Sequence, residues 1–360
     1  MKSSPSDATP ALRVDLRRLE SNLDRMQRTC DAARIQLWPH VKTHKCVAIA
    51  RRQLERGAAG LTCAKLSEAE AMLPSGVRRV FLAHSLATTS ALERAVALQR
   101  KLEQLILAVT SLAHARALAS LVNEGSFSFP VALAVDTGLG REGLRTLDEA
   151  EELATFLRKN TALNPVSIYT HEGQAYGAPR DQRAELIEAA HARLMQFRQV
   201  LGKELPLWPG CSVTAGAFAG KPAVGAVRPG AYVFGDLFLA DVTETMQRED
   251  IALTVRAPVV DRPARELALI DAGSKTFSSD RLPDGIFARP QDGRNFAVTR
   301  LSEEHGFVTG PGVGELQIGE TIDWIPAHVC PVVNLGRQLT VISADDAQEM
   351  WSVEASGCNY

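Results

Sequence analysis

The 360-residue sequence holds no apolar stretch approaching the roughly 18 to 20 residues that a bilayer-crossing helix needs, so membrane insertion is not expected. It has little excess charge of either sign. Its 40 Lys and Arg stand against 42 Asp and Glu, a net charge of -2, and no basic run is long enough to follow a phosphate backbone. Nucleic acid is thereby set aside as a partner. The opening MKSSPSDATPALRVDL lacks the apolar centre of a signal peptide, which points to a cytoplasmic protein. Cysteine is sparse: the six, at 30, 46, 63, 211, 330 and 358, show none of the close spacings of a disulfide framework and read as reduced thiols. Internal repeats and low-complexity segments are also missing.

A chain of this length suggests two domains, or one barrel with an appendage. Through the first two thirds, short β-branched or aliphatic runs alternate with amphipathic stretches of helical period, the pattern of parallel βα units. Strands are predicted at Gln36–Val41, Gly60–Ala64, Arg79–Ala83, Gln104–Val109, Val131–Val135, Val166–Tyr169, Leu205–Pro209 and Gly225–Phe234. Between them, helices are predicted at Cys46–Arg56, Leu66–Leu73, Ser90–Arg100, Ser111–Asn123, Leu147–Lys159 and Arg180–Leu201. Eight alternations over roughly 200 residues match a closed (β/α)8 TIM barrel better than an open sheet, which needs no fixed number. Thr214–Val224, rich in Gly and Ala, reads as a loop with a short helical turn. After about Asp250, the segments IALTVRAPVV, ELALIDAG, FAVTRL, GETIDWIP, LTVISADD and WSVEA are strand-like, with Gly, Pro and Asp turns and no convincing helix between them. The expected organisation is a barrel over 1–249 and a C-terminal all-β domain over 250–360. The first nine residues read as a frayed end, and about the first 15 are available to pack with the β-domain.

Barrel enzymes place their chemistry at the C-terminal ends of the strands. There the sequence puts PHVKTHK after the first strand, DTGLGR after the fifth, THEGQAY after the sixth and GCSVT after the seventh, with RPG in the eighth. A lone lysine at position 42 would read as a side chain snorkelling from a loop. Flanked by His40 and His44, on a strand whose Leu37 and Val41 face a core, Lys42 reads instead as a desolvated amine nucleophile. Ser212, Thr214 and the Gly230-Ala231 turn offer hydroxyls and unhindered N–H groups after the last two strands, the usual phosphate position of a barrel. Arg141 and Arg228 are either surface ion-pair formers or ligands of a phosphorylated ring cofactor. In the tail, His328 and Cys330 alternate on a predicted strand and share a face. They either hold one metal ion or form a buried thiol beside a hydrogen-bonded imidazole.

PHVKTHK, DTGLGREG, THEGQAYG, GCSVT, RPGAYVFGD, DAGSKTFSSD, LSEEHG and IPAHVCPVVNL resemble, in that order, the motifs of the D-threonine aldolase and D-serine dehydratase family, over residues 9 to about 355. These are alanine-racemase-like enzymes of pyridoxal-phosphate fold type III. The resemblance implies pyridoxal 5′-phosphate in Schiff-base linkage to Lys42. It sets Arg228 near the pyridine nitrogen, where it disfavours ring protonation and restrains the electron sink. It implies a phosphate held at Ser212, Thr214, Gly230 and Ala231, and a ring lined by Arg141, His171, Gln174 and Tyr176. Lys42 and His171 are the catalytic residues of this reading, and Glu172 is left without a role. A divalent metal is implied at His328 and Cys330, where a thiolate favours Zn²⁺ over Mn²⁺ or Mg²⁺.

By the same resemblance the substrate is a D-β-hydroxy-α-amino acid such as D-serine, D-threonine or 3-hydroxyaspartate. The dehydratases of the family carry His-x-Cys, which favours conversion to a 2-oxo acid and ammonia. The adjacent PVVNL is nearer the aldolases, so retro-aldol cleavage to glycine and an aldehyde is the alternative. An amino-acid racemase needs a second acid or base on the opposite face, a β-domain Tyr of the partner subunit in alanine racemases. The tyrosines here are Tyr169, Tyr176, Tyr232 and Tyr360, which disfavours that activity. A non-catalytic cofactor carrier of this barrel type lacks the β-domain and the metal pair. The resemblance further implies a homodimer, the β-domain of one chain, around Asp271–Asp280 and Glu304-His305, covering the barrel mouth of the other.

Overall fold

The computed structural model describes residues 8–123 and 128–360; residues 1–7 of the frayed end expected at the N-terminus lie outside them. The chain divides into two compact units. One comprises residues 25–42, 47–230 and 358–360, the other residues up to Asp24, 43–46 and 231–357. Strand β1 (Ala11–Asp15) and helix α1 (Leu16–Ala33) come first. Eight short strands follow: β2 (Gln36–Leu37), β3 (Leu61–Cys63), β4 (Arg79–Leu82), β5 (Gln104–Val109), β6 (Phe129–Ala134), β7 (Leu163–Tyr169), β8 (Leu207–Trp208) and β9 (Ala226–Val227). β3 to β8 form a parallel sheet in chain order, and β2 pairs in parallel with β9. Single bridges His40–Thr62 and Leu207–Val224 join the two pieces, so the eight strands close into the expected barrel.

Helices α2 (Val47–Glu55), α3 (Leu66–Met72), α4 (Thr89–Gln99), α5 (Leu112–Asn123), α6 (Leu147–Lys159) and α7 (Arg180–Leu201) alternate with these strands, and the weak segment after β8 contributes only α8 (Ala215–Phe218). In α6 the local causes are all present. Thr146 and Glu149 form a reciprocal capping box, acids occupy the first turn, Arg158 and Lys159 the last, and Ala150, Leu153, Ala154 and Leu157 form the buried stripe.

The first and last barrel strands are shorter than the hydrophobic pattern suggests. Gln36–Val41 pairs as a strand only over Gln36-Leu37, and Val41–Thr43 is a 3-10 turn. Gly225–Phe234 pairs only over Ala226-Val227, with another 3-10 turn at Ala231–Val233. Pro39 and Pro229 explain both endings, because proline has no N–H to continue a ladder.

Inside the barrel, Trp38 and Trp208 lie 4.8 Å apart between ring centroids, and Phe81 meets Tyr169 at 5.1 Å and Trp208 at 5.9 Å, edge-on. Ala108, Ala132, Ala134 and Ala226 face the same cluster, so large rings meet small side chains across the interior. Gly60 belongs to this fit: a Cβ there would stand 2.5 Å from the Trp38 ring and 2.6 Å from the Arg79 carbonyl oxygen.

In the other unit, β10 (Leu253–Ala264), β11 (Leu267–Ile270), β12 (Ala288–Pro290), β13 (Ala297–Leu301), β14 (Gly306–Thr309) and β15 (Thr321–Pro326) pair antiparallel in the order β10-β11-β14-β13-β12-β15 and back to β10, a second closed barrel. β1 extends it, antiparallel to β10 and parallel to β16 (Gln338–Ile342), which pairs in turn with β17 (Gln348–Ser352). Two helices, α9 (Ser274–Phe277) and α10 (Val329–Leu335), interrupt the tail where none was expected. The second corrects the local geometry of the His-x-Cys pair. β15 ends at Pro326, His328 is the extended residue before α10, and Cys330 lies in the first turn of that helix. Pro331 accounts for the change, since its fixed φ suits a first turn, where its missing N–H removes no helical bond. Among the described residues no helix is long and apolar enough to cross a membrane.

Emptying the barrel centre tests this packing. Phe81→Ala is expected to lower stability by about 3–5 kcal/mol, and Ala132→Leu by about 1–3 kcal/mol through overpacking, both read from denaturant unfolding curves.

Candidate functional site

Lys42 lies in the 3-10 turn after β2, and its backbone N–H points to His40 Nδ1 at 3.4 Å. Its side chain is exposed rather than desolvated. The reason is the short strand: β2 ends at Leu37, so Lys42 stands beyond the core-facing register. The next three residues are held by their side chains. Thr43 Oγ1 lies 3.2 Å from Cys330 Sγ, His44 Nδ1 accepts the Cys46 N–H at 3.1 Å, and Lys45 Nζ donates to Asn334 Oδ1 at 2.6 Å.

Arg228 follows β9 and is buried against the barrel aromatics, its guanidinium 5.4 Å from the Phe81 centroid and 5.1 Å from that of Tyr169. Its Nε donates to the Trp208 carbonyl at 3.3 Å and its Nη2 to the Thr170 carbonyl. Burial pushes its pKa down and nearby Tyr169 and Glu172 work the other way; a guanidinium remains charged regardless. His171, after β7, is driven to a pKa of about 3 by burial and then by the positive charges of Lys42, Arg228 and Arg141. Its imidazole is therefore neutral at ordinary pH. Arg141, after β6, is exposed and pairs with Glu142 at 3.2 Å. Gln174 Nε2 donates to the Thr137 carbonyl at 3.0 Å, while its Oε1 and the Tyr169 hydroxyl are buried without a hydrogen bond among the described residues. Tyr176 closes the 3-10 turn that contains Gln174.

Glu172, to which the sequence assigned nothing, is completely buried and accepts the Gly210 N–H at 3.0 Å and the Thr214 hydroxyl at 2.9 Å. Burial raises its pKa, and those hydrogen bonds with the Arg228 charge hold the rise back. Its carboxyl thereby pins the Gly210–Thr214 turn. Gly210 has a φ of +106°, and a Cβ there would press on Val227 at 3.1 Å, so the turn requires glycine. Ser212 Oγ accepts the Gly230 N–H at 3.1 Å, bringing together the turns after β8 and β9. Thr214 Oγ1 is engaged by Glu172 and by the Cys211 N–H at 3.1 Å, and Ala231 opens the following 3-10 turn. The one signal for Glu172 was an acid among small residues at a strand end. These residues fit a phosphorylated ring cofactor: two buried polar atoms lack partners, Arg228 has N–H donors to spare, and an exposed amine and a Ser-Gly pair stand at strand ends.

In the other unit, His328 Nδ1 lies 2.6 Å from Asp280 Oδ2, and Phe238 packs edge-on to the imidazole at 6.4 Å. Burial alone would depress the pKa of His328; Cys330, Asp236 and Asp280 outweigh it and raise the value to about 10. The pocket thus draws positive charge, and an imidazole beside a thiol suits a divalent cation, sulfur favouring zinc. Among the described residues no three His, Cys, Asp or Glu side chains converge as a closed cage, so two donors would leave coordination positions open. Asp236 is fully buried and accepts the N–H groups of Val329 at 3.0 Å and Leu239 at 2.9 Å, fixing the residue between the two donors.

The depressed pKa of His171 has a direct consequence for stability. As pH falls below the ordinary imidazole value of about 6.5, the unfolded chain takes up a proton that the folded chain refuses until about pH 3. Stability therefore falls with acidification across that window. His171→Asn is expected to remove one proton's share of that slope, measured by denaturant unfolding at a series of pH values.

Residues 14–237 match the family "Alanine racemase, N-terminal domain" and residues 252–342 match the "Putative serine dehydratase domain". The chain is 31% identical to the D-threo-3-hydroxyaspartate dehydratase of Delftia sp. (strain HT23), over 95% of this chain and 96% of that protein. The crystal structure of D-threonine aldolase from Filomicrobium marinum has a TM-score of 0.88 at 27% identity, covering 98% of this chain and 97% of that one. A cysteine-to-alanine mutant of D-threo-3-hydroxyaspartate dehydratase, solved in the metal-free form, has a TM-score of 0.87 at 28% identity, covering 96% and 97%. With its parallel barrel, its antiparallel tail domain and these likenesses along nearly its whole length, the chain belongs to the alanine racemase N-terminal domain family and is one of its pyridoxal-phosphate-dependent lyases.

Proposed function

We propose that the protein uses pyridoxal 5′-phosphate and a divalent metal, zinc in preference, to convert D-β-hydroxy-α-amino acids to 2-oxo acids and ammonia. The observation that carries this reading is the thiol of Cys330 beside His328, in a pocket that draws positive charge. The likeness to a D-threo-3-hydroxyaspartate dehydratase supports it. When bound, the cofactor supplies an electron sink for the substrate α-carbon, and the metal a Lewis acid for the β-oxygen.

The chain's own residues do the rest. Lys42, exposed after β2, is the amine that carries the cofactor and removes the α-proton. His171 is neutral, so it can accept a proton or hold one without adding to the positive charge around it. Arg228 keeps a permanent charge where the ring nitrogen is expected, which opposes protonation there. Arg141, Gln174 and Tyr176 line the ring. Ser212, Gly230 and Ala231 take the phosphate, on a turn that Glu172 orders through the Thr214 hydroxyl, which is thereby engaged and not a phosphate donor itself. His328 and Cys330 hold the ion. A homodimer and a cytoplasmic location belong to the same reading.

Retro-aldol cleavage is the second reading, and the likeness to a D-threonine aldolase supports it. The two reactions part at the first proton. Dehydration begins with the α-proton, which Lys42 removes; cleavage begins with the proton of the β-hydroxyl.

Incubation with D-serine, D-threonine and D-threo-3-hydroxyaspartate separates them. Pyruvate, 2-oxobutanoate or oxaloacetate is expected; glycine with an aldehyde would transfer the assignment to cleavage, and no product from any of the three with the cofactor- and metal-loaded enzyme would overturn both. Lys42→Ala is expected to lower turnover by at least about 10²–10⁴-fold, the range of a lost general base, with the fold retained by circular dichroism.

A further inference from the structure

We infer that Thr43 and Asp280 are positioning residues for the two metal donors, one hydrogen bond to each. The inference rests on the metal reading proposed above. Thr43 is completely buried, and its Oγ1 lies 3.2 Å from Cys330 Sγ. Without a metal either atom could be the donor. A ligating cysteine is a thiolate with no proton to give, so on ligation the hydroxyl must donate and the sulfur accept. The same reasoning assigns the imidazole. Asp280 Oδ2 stands 2.6 Å from His328 Nδ1, so a neutral, ligating His328 carries its proton on Nδ1, donates it to Asp280 and offers Nε2 to the ion.

Two further observations point the same way. Asp236 accepts the N–H of Val329, the residue between the donors, at 3.0 Å, so their backbone spacing is held as well. The loop that presents Asp280 contains Ser278 at φ 68° and ψ -166°, a conformation seldom adopted by anything but glycine. A tolerated strain of this kind is expected where a side chain two residues away must be aimed.

The test uses the cofactor-loaded enzyme and zinc alone, with affinity measured by competition against a chromophoric chelator. Thr43→Val keeps the shape and removes the hydroxyl; Asp280→Ala removes the carboxylate at a partly exposed position. Each is expected to weaken zinc binding by about 10–100-fold, the usual effect of losing an outer-shell partner, whereas Thr43→Ser should restore wild-type affinity. Cobalt substitution gives a signature that a merely structural role would not move. Losing the hydroxyl raises the energy of the sulfur electrons, so the thiolate-to-cobalt charge-transfer band should shift to longer wavelength in Thr43→Val and stay in place in Asp280→Ala. Wild-type zinc affinity in both variants, with unshifted cobalt bands, would overturn the inference and leave the metal reading standing. A wild-type enzyme that binds no zinc would overturn the metal reading itself. If Thr43→Val fails to fold, Thr43→Ala takes its place beside Asp280→Ala, and wild-type zinc affinity in both would overturn the inference.

Discussion

Closure of the parallel barrel rests on very little ladder, and the site depends on that closure. β2 and β9 pair only through Gln36 with Ala226 and Leu37 with Val227. Beyond them the Trp38 N–H reaches the Val227 carbonyl at 3.0 Å and the His40 N–H the Pro229 carbonyl at 2.9 Å. The first and last strands of the barrel thereby become neighbours, and the segments leaving them carry Lys42 on one side and Arg228-Pro229-Gly230 on the other. Were either strand longer, these residues would be spent in the sheet. The aromatic cluster beneath supplies the cohesion that so short a ladder cannot.

Charge divides between the two units. The barrel buries His171 and gathers Lys42, Arg228 and Arg141 around it, and burial first and those charges second keep that imidazole neutral, with Glu172 sunk beneath the Gly210–Thr214 turn. Such a mouth favours an anion, as a phosphorylated cofactor and an amino-acid carboxylate require. The tail unit does the opposite: Cys330, Asp236 and Asp280 surround His328 and favour a cation. Burial pushes both imidazoles toward neutrality; around His171 the charges add to it and the value falls to about 3, around His328 they outweigh it and the value rises to about 10.

Much of this was legible before any coordinates, for physical reasons. Eight apolar runs at helical intervals force alternation, and alternation with short turns forces parallel strands. The motifs around Lys42, Arg228 and His328-x-Cys330 mark where chemistry sits. Periodicity could not show where pairing stops, because apolar residues continue past Pro39 and Pro229 while the regular ladder between β2 and β9 does not. It also misread the stretch after Pro326: Val329, Val332 and Val333 suit strand and helix equally, and the position of Pro331 decides for the helix. Asp236 and Asp280 lay inside recognised segments, yet their roles depend on contacts with residues far along the chain. Glu172 was hidden in the same way, since its partners Gly210 and Thr214 belong to another strand end.

The second unit is assembled from both early and late parts of the chain. β1 lies between β10 and β16, and residues 43–46 are tied to the tail through Thr43 with Cys330, Lys45 with Asn334, and the Ala355 N–H on the Lys45 carbonyl at 3.0 Å. On the ribosome these early pieces are made long before their partners. Such long-range contacts form slowly, because a large loop must close before any of them is gained. The stretch that follows Lys42 thus cannot gain these contacts until the tail has been made, whereas every strand of the parallel barrel exists once Val227 has been added.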